Sequence, residues 1–515
     1  MRYANDFRPP ESFSRNYGPR PPPTAQPDGP PLLFASPASD RPVALGSRRH
    51  LFIDDALVSR MDENVRFTPN KPRQIDATDF RTTKPWDSSP RMGASIPDVF
   101  SVWDDGDRIA MLYGNNGMFG GKDTAVCLAS SRDGLHWEKP ELGLRMWNGS
   151  TRNNIVLRNA MQGTVIRDPN PAEPPERRYK MLAWLMTRGF YVLTSPDGTH
   201  WQRNESCAFP FDPDGSCDIF WDDQAGVYRA YLRSLANVAN PAVLRGIVRA
   251  KTVEVMKPWP ITPVETPAWH LTGGEPTWPL PKPSSGELPL IDTGGEVYRM
   301  KALKYSLAPD VYLAFPWRYL GDKNLRPGSF MTVSRDGEHW RHYESPFYLA
   351  SGWNLQGRTV LESLMEGGLV ARGDEIWQYG TVRFTEHGGA LFGGAEHDGS
   401  SFDTLLRLTQ RLDGFVSLDA GAAAGTVVTR VLTYAGRRLE LNVAAQLSVR
   451  VALLDEHGRP LPGFGLDDCD PIQSDSTHQI VSWKHQRHVG PHAGQPVQVL
   501  FELRDAKLFA FQFVP

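Results

Sequence analysis

The sequence predicts an all-β protein, with a five-bladed β-propeller followed by a C-terminal antiparallel β-sandwich. Three observations support this fold class: a turn motif that occurs three times, a strand pattern that recurs in five segments, and a change to evenly spaced short strands after residue 412. No segment carries the apolar periodicity of a helix of ordinary length. The chain divides into an N-terminal arm (1–45), the propeller (46–412) and the sandwich (413–515).

The repeated turn has the form Ser-x-Asp-Gly-x-His-Trp. Its copies occupy residues 131–137, 195–201 and 334–340, and each copy follows an apolar, strand-like run. Asp-Gly is the strongest short hairpin signal, because glycine readily adopts the positive φ that a tight turn needs. Each copy is therefore predicted to be the outer hairpin of one repeated β unit.

The spacing of the turns indicates the number of units. Asp133 and Asp197 are 64 residues apart, whereas Asp197 and Asp336 are 139 apart, about twice as far. One unit without the turn fits between the second and third copies, and the strand-rich stretch 361–411 supplies a fifth unit. Repeats of this length with several short strands each are typical of propellers.

The remaining segments follow in order. Residues 1–45 are rich in Pro, Arg, Ser and Asp, which predicts a flexible or wrapping arm. Order is predicted to begin at 50–55, in an apolar strand that ends in two aspartates, residues that strands usually lack. The later blades each combine an apolar strand, an Asp/Gly turn and an aromatic strand. From residue 413, strands at a spacing of roughly 8 to 12 residues predict the sandwich.

Composition narrows the class of protein. The chain has 515 residues and a net charge of −3, so nothing in its charge favours nucleic acid or anionic membranes as partners. It lacks a run of 18 apolar residues, and no membrane span is expected. Residues 1–30 contain no apolar core, so the sequence as written shows no signal peptide and a cytoplasmic location is expected. The oligomeric state is not predicted.

The four cysteines show no metal-binding pattern. They form no Cys-x-x-Cys pair, so a zinc site is not expected and no metal ligand is predicted. The sequence leaves open whether Cys207 and Cys217 form a disulfide. No redox cofactor is required, and a structural Ca²⁺ in the axial channel is an option because hard oxygen ligands converge there.

Carboxylates at the starts of the inner strands of a propeller converge on its axis, although they lie far apart in sequence. Hydrolysis of a glycosidic bond needs two such carboxyl groups, one as acid and one as nucleophile or base. The sequence therefore predicts a glycoside hydrolase acting on an oligo- or polysaccharide. The catalytic candidates are Asp54, Asp55, Asp168, Glu362 and Glu366. The candidates for binding substrate are Asp98, Trp103, Arg167, Trp184, Asp218, Glu296, Trp317 and His387.

The same stretches carry a family resemblance. The chain resembles the invertase, levanase and arabinanase superfamily of glycoside hydrolases. The features that carry this resemblance are the five-blade pattern, the strand-borne Asp54, the motif Arg167-Asp168-Pro169 and a later Glu. The resemblance implies that Asp54 or Asp55 is the nucleophile or base, that Asp168 stabilises the transition state, and that Glu362 or Glu366 is the acid. Residues 52–55, the three turns and the tail 412–421 also resemble a large group of uncharacterised bacterial proteins predicted to be glycosyl hydrolases.

Two departures from the superfamily leave the substrate open. The chain has no Asn-Asp-Pro-Asn-Gly motif, and its one Glu-x-Cys, at 205–207, follows a turn on the outer side. Fructose specificity therefore does not carry over. The turn also resembles the Asp-box of sialidases, but no arginine cluster stands out in the sequence.

Two other functions fit the same fold. A glycoside phosphorylase would hold phosphate with cations such as Arg167, Arg299, Lys301 and His387. A non-catalytic carbohydrate-binding propeller would keep the tryptophans but place no carboxylate pair at catalytic distance.

Overall fold

Strands make up almost all of the regular structure. The computed structural model describes residues 42–87, 98–114, 125–158, 160–185, 189–211, 217–234, 245–261, 288–293, 296–318, 328–343, 347–384 and 404–515. Within these ranges the helical elements are two 3-10 turns, Pro175–Arg177 and Gly490–His492. None of the helices described is long and apolar enough to cross a membrane. The predicted all-β class is confirmed.

The first elements are five short strands. They are β1 (Val43–Gly46), β2 (Arg49–Leu51), β3 (Val58–Met61), β4 (Val65–Pro69) and β5 (Gln74–Ala77). Residues 1–41, which include most of the predicted arm, lie outside the described residues.

Antiparallel sheets form the first three blades, each numbered from its inner strand outward. The first contains β6 (Asp98–Asp104), β7 (Ile109–Gly114), β8 (Ala125–Ser131) and β9 (Ile155–Arg158). The second contains β10 (Met161–Arg167), β11 (Tyr179–Leu185), β12 (Gly189–Ser195) and β13 (Gln202–Phe209). The third contains β14 (Cys217–Asp222), β15 (Val227–Ser234) and β16 (Gly246–Thr252).

Two further sheets complete the propeller. The fourth contains β17 (Val297–Lys304), β18 (Tyr312–Arg318), β19 (Gly328–Ser329), β20 (Met331–Ser334), β21 (Trp340–Tyr343) and β22 (Leu349–Ala350). A small hairpin follows, β23 (Asn354–Leu355) with β24 (Arg358–Thr359). The fifth contains β25 (Glu362–Arg372), β26 (Glu375–Arg383) and β27 (Thr404–Arg411), and β5 pairs with β27 as its outermost strand.

The inner strands close a ring. β6 contacts β10, β10 contacts β14, β14 contacts β17, β17 contacts β25, and β25 returns to β6. The predicted five-bladed propeller is therefore confirmed. We call the end of the axis where these five strands begin the leading end, and the end where they finish the trailing end.

The three repeated turns join the third strand of a blade to its outer edge, as predicted. Their glycines, Gly134, Gly198 and Gly337, have φ of +75°, +73° and +69°, which explains the Asp-Gly pair. A Cβ on Gly134 would lie 2.5 Å from the Tyr379 hydroxyl, and one on Gly337 would lie 2.8 Å from the Tyr231 hydroxyl. Both tyrosines belong to the preceding blade, so these turns pack one blade against the next.

The C-terminal region is the predicted sandwich. Its strands are β28 (Val416–Ala420), β29 (Gly425–Thr429), β30 (Leu432–Tyr434), β31 (Arg438–Asp455), β32 (Asp475–Ile480) and β33 (Val497–Val514). The two long strands, β31 and β33, pair along their length with bulges that bend them. Side chains from both halves of each strand, such as Leu441 and Val451 of β31, enter one hydrophobic core.

The N-terminal strands join this sandwich. β1 pairs with β30 in parallel, and β2, β3 and β4 pair with β33, β29 and β28 in antiparallel fashion. The predicted propeller boundary at residue 46 differs from this pairing, because residues 43–69 belong to the C-terminal sheet and β5 is the first strand of the propeller. These pairings join residues more than 300 positions apart, which a local strand pattern does not reveal.

The four cysteines are buried free thiols. Cys207 packs in the core between the first two blades, whereas Cys217 packs in the core between the second and third. They form no disulfide, which settles the pairing that the sequence left open. Burial raises the pKa of the Cys217 thiol well above its usual value.

Candidate active site

Three buried carboxylates lie on inner strands toward the leading end of the axis. Asp218 is the second residue of β14 and is 2% exposed, while Glu362 and Glu366 of β25 are 4% and 2% exposed. Acidic side chains are almost never buried this deeply unless they are paired. Their partners therefore define the site.

Asp218, in the third blade, is held by groups from the second and fourth blades. Lys301 Nζ lies 2.7 Å from Asp218 Oδ1, and the backbone N–H of Ala302 donates to Oδ2 at 2.9 Å. The hydroxyl of Thr164, on the inner strand of the second blade, donates to Oδ1 at 3.0 Å. A cation and two hydrogen-bond donors thus hold the Asp218 side chain in its buried position.

Glu366 is held in a similar way by a different set of groups. Arg299 Nη2 lies 2.8 Å from Glu366 Oε2, and the Thr381 hydroxyl donates to Oε1 at 2.7 Å. Arg299 belongs to β17 and Thr381 to β26. The carboxylate is therefore fixed between the fourth and fifth blades.

Glu362 has a looser ion pair. It stands directly opposite Arg383 on the neighbouring strand, and Arg383 Nη1 lies 3.6 Å from Glu362 Oε2. That separation exceeds the 2.8 Å of the Arg299–Glu366 pair. As the first residue of β25, Glu362 lies at the leading end itself.

A bulge in β25 brings the two ion pairs together. Arg299 and Lys301 are two residues apart on β17, and the register of β25 shifts at Glu366, between Met365 and Gly367. Gly367 has φ of +127°, and a Cβ there would lie only 2.9 Å from Lys301 Cε. Bulges of this kind re-aim side chains beside active sites. Lys301 thus reaches from Asp218 to the bulge that carries Glu366.

The arrangement has the groups that glycosidic bond cleavage requires. Asp218 and Glu366 are held as carboxylates by cations, so each can face a developing positive charge or accept a proton. Glu362 lies at the leading end beside Arg383, at a longer distance than that of the Arg299–Glu366 pair. Two carboxyl groups in these roles are what hydrolysis of a glycosidic bond needs.

Asp168 lies at the other end of the axis. It follows the last residue of β10 and is 1% exposed. The Tyr228 hydroxyl donates to its Oδ2 at 2.5 Å, the Asn170 N–H donates to Oδ1 at 2.9 Å, and the buried Lys180 forms an ion pair with it. The structure therefore does not bring Asp168 together with Glu362 and Glu366.

The Asp168–Tyr228 contact is one of three equivalent contacts at the trailing end. In each, a tyrosine in the second strand of one blade donates to an aspartate at the end of the inner strand of the preceding blade. The three pairs are Tyr179–Asp105, Tyr228–Asp168 and Tyr312–Asp222.

The repeated tyrosine contacts also shift the pKa values of tyrosine and aspartate side chains that form them. Burial, together with the hydrogen bond to Asp105, raises the pKa of Tyr179 to about 12. Burial alone would raise the pKa of Asp222, but Lys304 and Arg229 outweigh it and lower that pKa. The raised pKa of Tyr179 and the lowered pKa of Asp222 both favour a protonated tyrosine that donates to an ionised aspartate at these interfaces.

Asp54 and Asp55 lie away from the axis. Arg335, in the third repeated turn, forms two ion pairs. Its Nη2 lies 2.9 Å from Asp54 Oδ1, and its Nη1 lies 2.5 Å from Asp310 Oδ2. Asp55 is 82% exposed, and its nearest cation is Arg341 at 3.8 Å. Asp54 therefore links the segment after β2 to the fourth blade through Arg335.

The predicted aromatic residues occupy three different places. Trp184 is buried in the core between the second and third blades. Trp103 lies near the trailing end, where its ring meets Tyr179 edge-on at 6.3 Å. Trp317 is buried near the leading end and meets Tyr298 edge-on at 5.2 Å.

The remaining candidates divide between the two ends. Glu296 precedes β17 at the leading end, with Arg245 3.8 Å away. Asp98 is the first residue of β6 at the same end, and its side chain lies outside the described residues, as does His387 entirely. Arg167, the last residue of β10, is exposed at the trailing end.

The sequence drew attention to some of these partners but not to others. Arg299 and Lys301 were considered only as phosphate ligands, whereas Thr164, Thr381 and Arg383 were missed. One signal was available for the first two, because β17 carries three cations, Arg299, Lys301 and Lys304, within an otherwise largely apolar strand. The threonines gave no signal, since threonine is common in strands.

No group of three or more His, Cys, Asp or Glu side chains in the described part of the chain is arranged to hold a metal ion. The structural Ca²⁺ therefore stays a prediction.

Comparison with known proteins adds distant structural likenesses. No protein-family model matches the chain, and no curated protein matches it. It is similar to an N-acetylgalactosamine deacetylase from F. plautii, with 13% identity, a TM-score of 0.39, and coverage of 68% of this chain and 96% of that one. It is also similar to an exo-inulinase from Aspergillus awamori, with 9% identity, a TM-score of 0.37, and coverage of 87% and 99%.

A third likeness is to an exo-β-1,3-galactanase from Phanerochaete chrysosporium. It has 11% identity and a TM-score of 0.33, and covers 85% of this chain and 100% of that one. At TM-scores this low the likenesses carry no argument, and the fold assignment rests on the strand pairing described above.

Proposed function

We propose that the protein is a glycoside hydrolase whose reaction takes place at the leading end of the propeller axis. The observation that carries this proposal is a set of three buried carboxylates: Asp218 and Glu366, which pair with Lys301 and Arg299 of β17, and Glu362, which pairs with Arg383 of β26. In this proposal Glu362 protonates the leaving oxygen. Asp218 acts as the nucleophile or as the base that activates water, and Glu366 positions Arg299 beside them.

The reaction needs one proton donor and one carboxylate on opposite sides of the sugar carbon. Lys301 and the N–H of Ala302 hold the side chain of Asp218 in place, which suits the second role. Glu362 comes from a different blade, so the two groups approach the axis from different directions. The substrate is an oligo- or polysaccharide.

The test is hydrolysis of a panel of aryl glycosides and oligosaccharides, including fructans and arabinans, by wild type, Glu362→Gln and Asp218→Asn. Asp168→Asn serves as the matched control, because it alters an equally buried aspartate at the trailing end. Removal of an acid–base group lowers kcat by about 10²- to 10⁴-fold. We expect that loss in the first two variants and a kcat close to wild type in the control.

Two results would contradict the assignment. Loss of kcat in Asp168→Asn with retention in Glu362→Gln would move the reaction to the trailing end. Binding of glycans without turnover by the wild type, with or without phosphate, would favour a carbohydrate-binding propeller. Thermal melts of each variant separate loss of chemistry from loss of fold.

A second candidate function is glycoside phosphorolysis. It is favoured by the cations beside the carboxylates, Arg299, Lys301 and Arg383, because phosphate binds to such groups. The same panel with added inorganic phosphate distinguishes the two functions, since a phosphorylase releases a sugar phosphate and a hydrolase releases free sugar.

A further inference from the structure

A cavity of about 480 Å³ lies along the axis toward the trailing end. All five inner strands line it, from Thr164 and Lys301 midway along the axis to Arg167 and Pro169 at the mouth. Binding sites for small molecules commonly have volumes of about 300–1,000 Å³. The cavity is therefore large enough for a small molecule such as a single sugar.

Most charged groups in the cavity wall are already paired. Arg372 Nη1 lies 2.5 Å from Asp104 Oδ2, Lys304 Nζ lies 3.0 Å from Asp222 Oδ1, and Asp168 is paired with Lys180. Lys301 is paired with Asp218, as described above. These pairs neutralise four of the six charged residues in the wall.

Arg167 and Arg178 are the two that form no salt bridge with a carboxylate among the described residues, although Arg167 lies close enough to Asp104 to help lower the pKa of that carboxyl. Arg167 is exposed and makes no hydrogen bond or ion pair there, and Arg178 donates only to the backbone oxygen of Asp168, at 3.3 Å. The two cations flank one hairpin, since Arg167 stands opposite Tyr179, the residue after Arg178. The mouth of the cavity therefore carries two positive charges.

Trp103 borders the cavity, but its ring packs in the core between the first two blades, where it meets Tyr179 edge-on at 6.3 Å. Apolar side chains such as Phe220 and Leu369 form the rest of the wall.

We propose that this cavity binds a small molecule that carries an oxyanion, held by Arg167 and Arg178 at its mouth. Guanidinium groups bind phosphate and carboxylate through charge-assisted hydrogen bonds. The oxyanion belongs either to free phosphate or to an acidic sugar. The two arginines are distinct from the leading-end carboxylates, although Thr164 and Lys301 both line the cavity and contact Asp218. The proposal does not depend on the hydrolase proposal.

The test is calorimetric titration of the full chain with inorganic phosphate, glucuronate and glucose. Arg167→Gln and Arg178→Gln remove the proposed ligands, and Arg108→Gln is the matched control because Arg108 lies at the same end but outside the cavity wall. We expect binding of at least one anion, weaker by about tenfold in each of the first two variants and unchanged in the control. Glucose is expected to bind far more weakly than glucuronate.

The three probes distinguish the sources of the oxyanion. Binding of both phosphate and glucuronate supports a site for free oxyanions, and binding of glucuronate alone supports an acidic sugar. Failure of both anions to bind at millimolar concentration would overturn the proposal. Binding that survives both cavity variants but is lost in Arg383→Gln would also overturn it, since the anion would then lie at the leading end.

Discussion

The two ends of the propeller axis use charged residues in different ways. At the trailing end the same contact recurs at successive blade interfaces, with Tyr228 donating to Asp168 and Tyr312 donating to Asp222. At the leading end each ionic group is different, with one lysine pair and two arginine pairs. A contact that recurs between successive blades has a structural role, because every blade must pack against the next. Groups that occur once are the better candidates for chemistry.

The largest effect expected from this comparison is on stability at the trailing end. Lys180→Met removes the cation beside Asp168, and both side chains are fully buried. Loss of one partner of a buried ion pair lowers the free energy of unfolding by about 3–5 kcal/mol. We expect that loss in urea denaturation, with kcat retained at temperatures where the variant is folded.

Two further variants test the Lys180 prediction. The double variant Lys180→Met/Asp168→Asn is expected to recover most of the stability, because no unpaired charge is then buried. Lys257→Met is the control, since the exposed pair Lys257–Glu254 contributes about 1 kcal/mol or less. A loss in Lys180→Met no larger than in the control would contradict the structural role of the trailing end.

A smaller effect on stability, but a large one on activity, is expected from Gly367→Ala. The new methyl group would meet Lys301 Cε at 2.9 Å and would sit at φ of +127°. Strained backbone positions cost of order 1–3 kcal/mol. Displacement of Lys301 also weakens its ion pair with Asp218, so we expect kcat to fall by about tenfold or more.

Gly373→Ala is the matched control for Gly367→Ala. Gly373 also has positive φ, at +57°, but a Cβ there would meet nothing within 4 Å. It therefore tests a glycine-to-alanine change at positive φ without the clash, although its backbone strain is milder than that at Gly367. Equal kcat in the two variants would show that Lys301 is not part of the reacting site.

The smallest effect on stability is expected from substitutions in the outer turns. Because these turns are repeated structural elements far from the axis, such substitutions should change stability and leave activity unchanged. Partial burial would raise the pKa of Asp197, but hydrogen bonds from His200 and from the Thr199 N–H outweigh it and lower the pKa to about 2, from an ordinary value near 3.8. A lowered pKa stabilises the fold at higher pH, and that contribution is lost as the pH falls from about 4 to about 2.

Asp197→Asn measures that contribution. We expect the free energy of unfolding to fall by roughly 0.5–1 kcal/mol at pH 7, with the difference from wild type vanishing near pH 2. The activity at pH 7 should be unchanged. A difference that persists undiminished at pH 2 would mean that the Asp197 charge is not its source.

Much of the fold was predictable from sequence because its signals are local. The Asp-Gly turns gave both the hairpins and the count of blades, and the strand before the second turn was predicted at residues 190–194, within the observed β12 (Gly189–Ser195). The N-terminal strands were assigned to the propeller instead, because their pairing with β28 to β33 depends on residues distant in sequence.

The site was harder to predict for a related reason. Sequence shows that an aspartate borders a strand, but not at which end of the axis it lies. Asp168 and Asp218 both border inner strands, yet one follows β10 and the other is near the start of β14. The Arg-Asp-Pro motif drew attention to Asp168, whereas the partners of Asp218 come from other blades and became evident only in three dimensions.

The closure of the fifth blade by β5 has a consequence for synthesis of the chain. Residues 43–77 leave the ribosome before their partners in β27 to β33, which follow more than 300 residues later. Until those partners are made, the edges of these five strands are unpaired, and unpaired strand edges invite pairing with other chains. The order of synthesis therefore exposes this segment to misassembly for longer than the strands of the first four blades, whose partners are close in sequence.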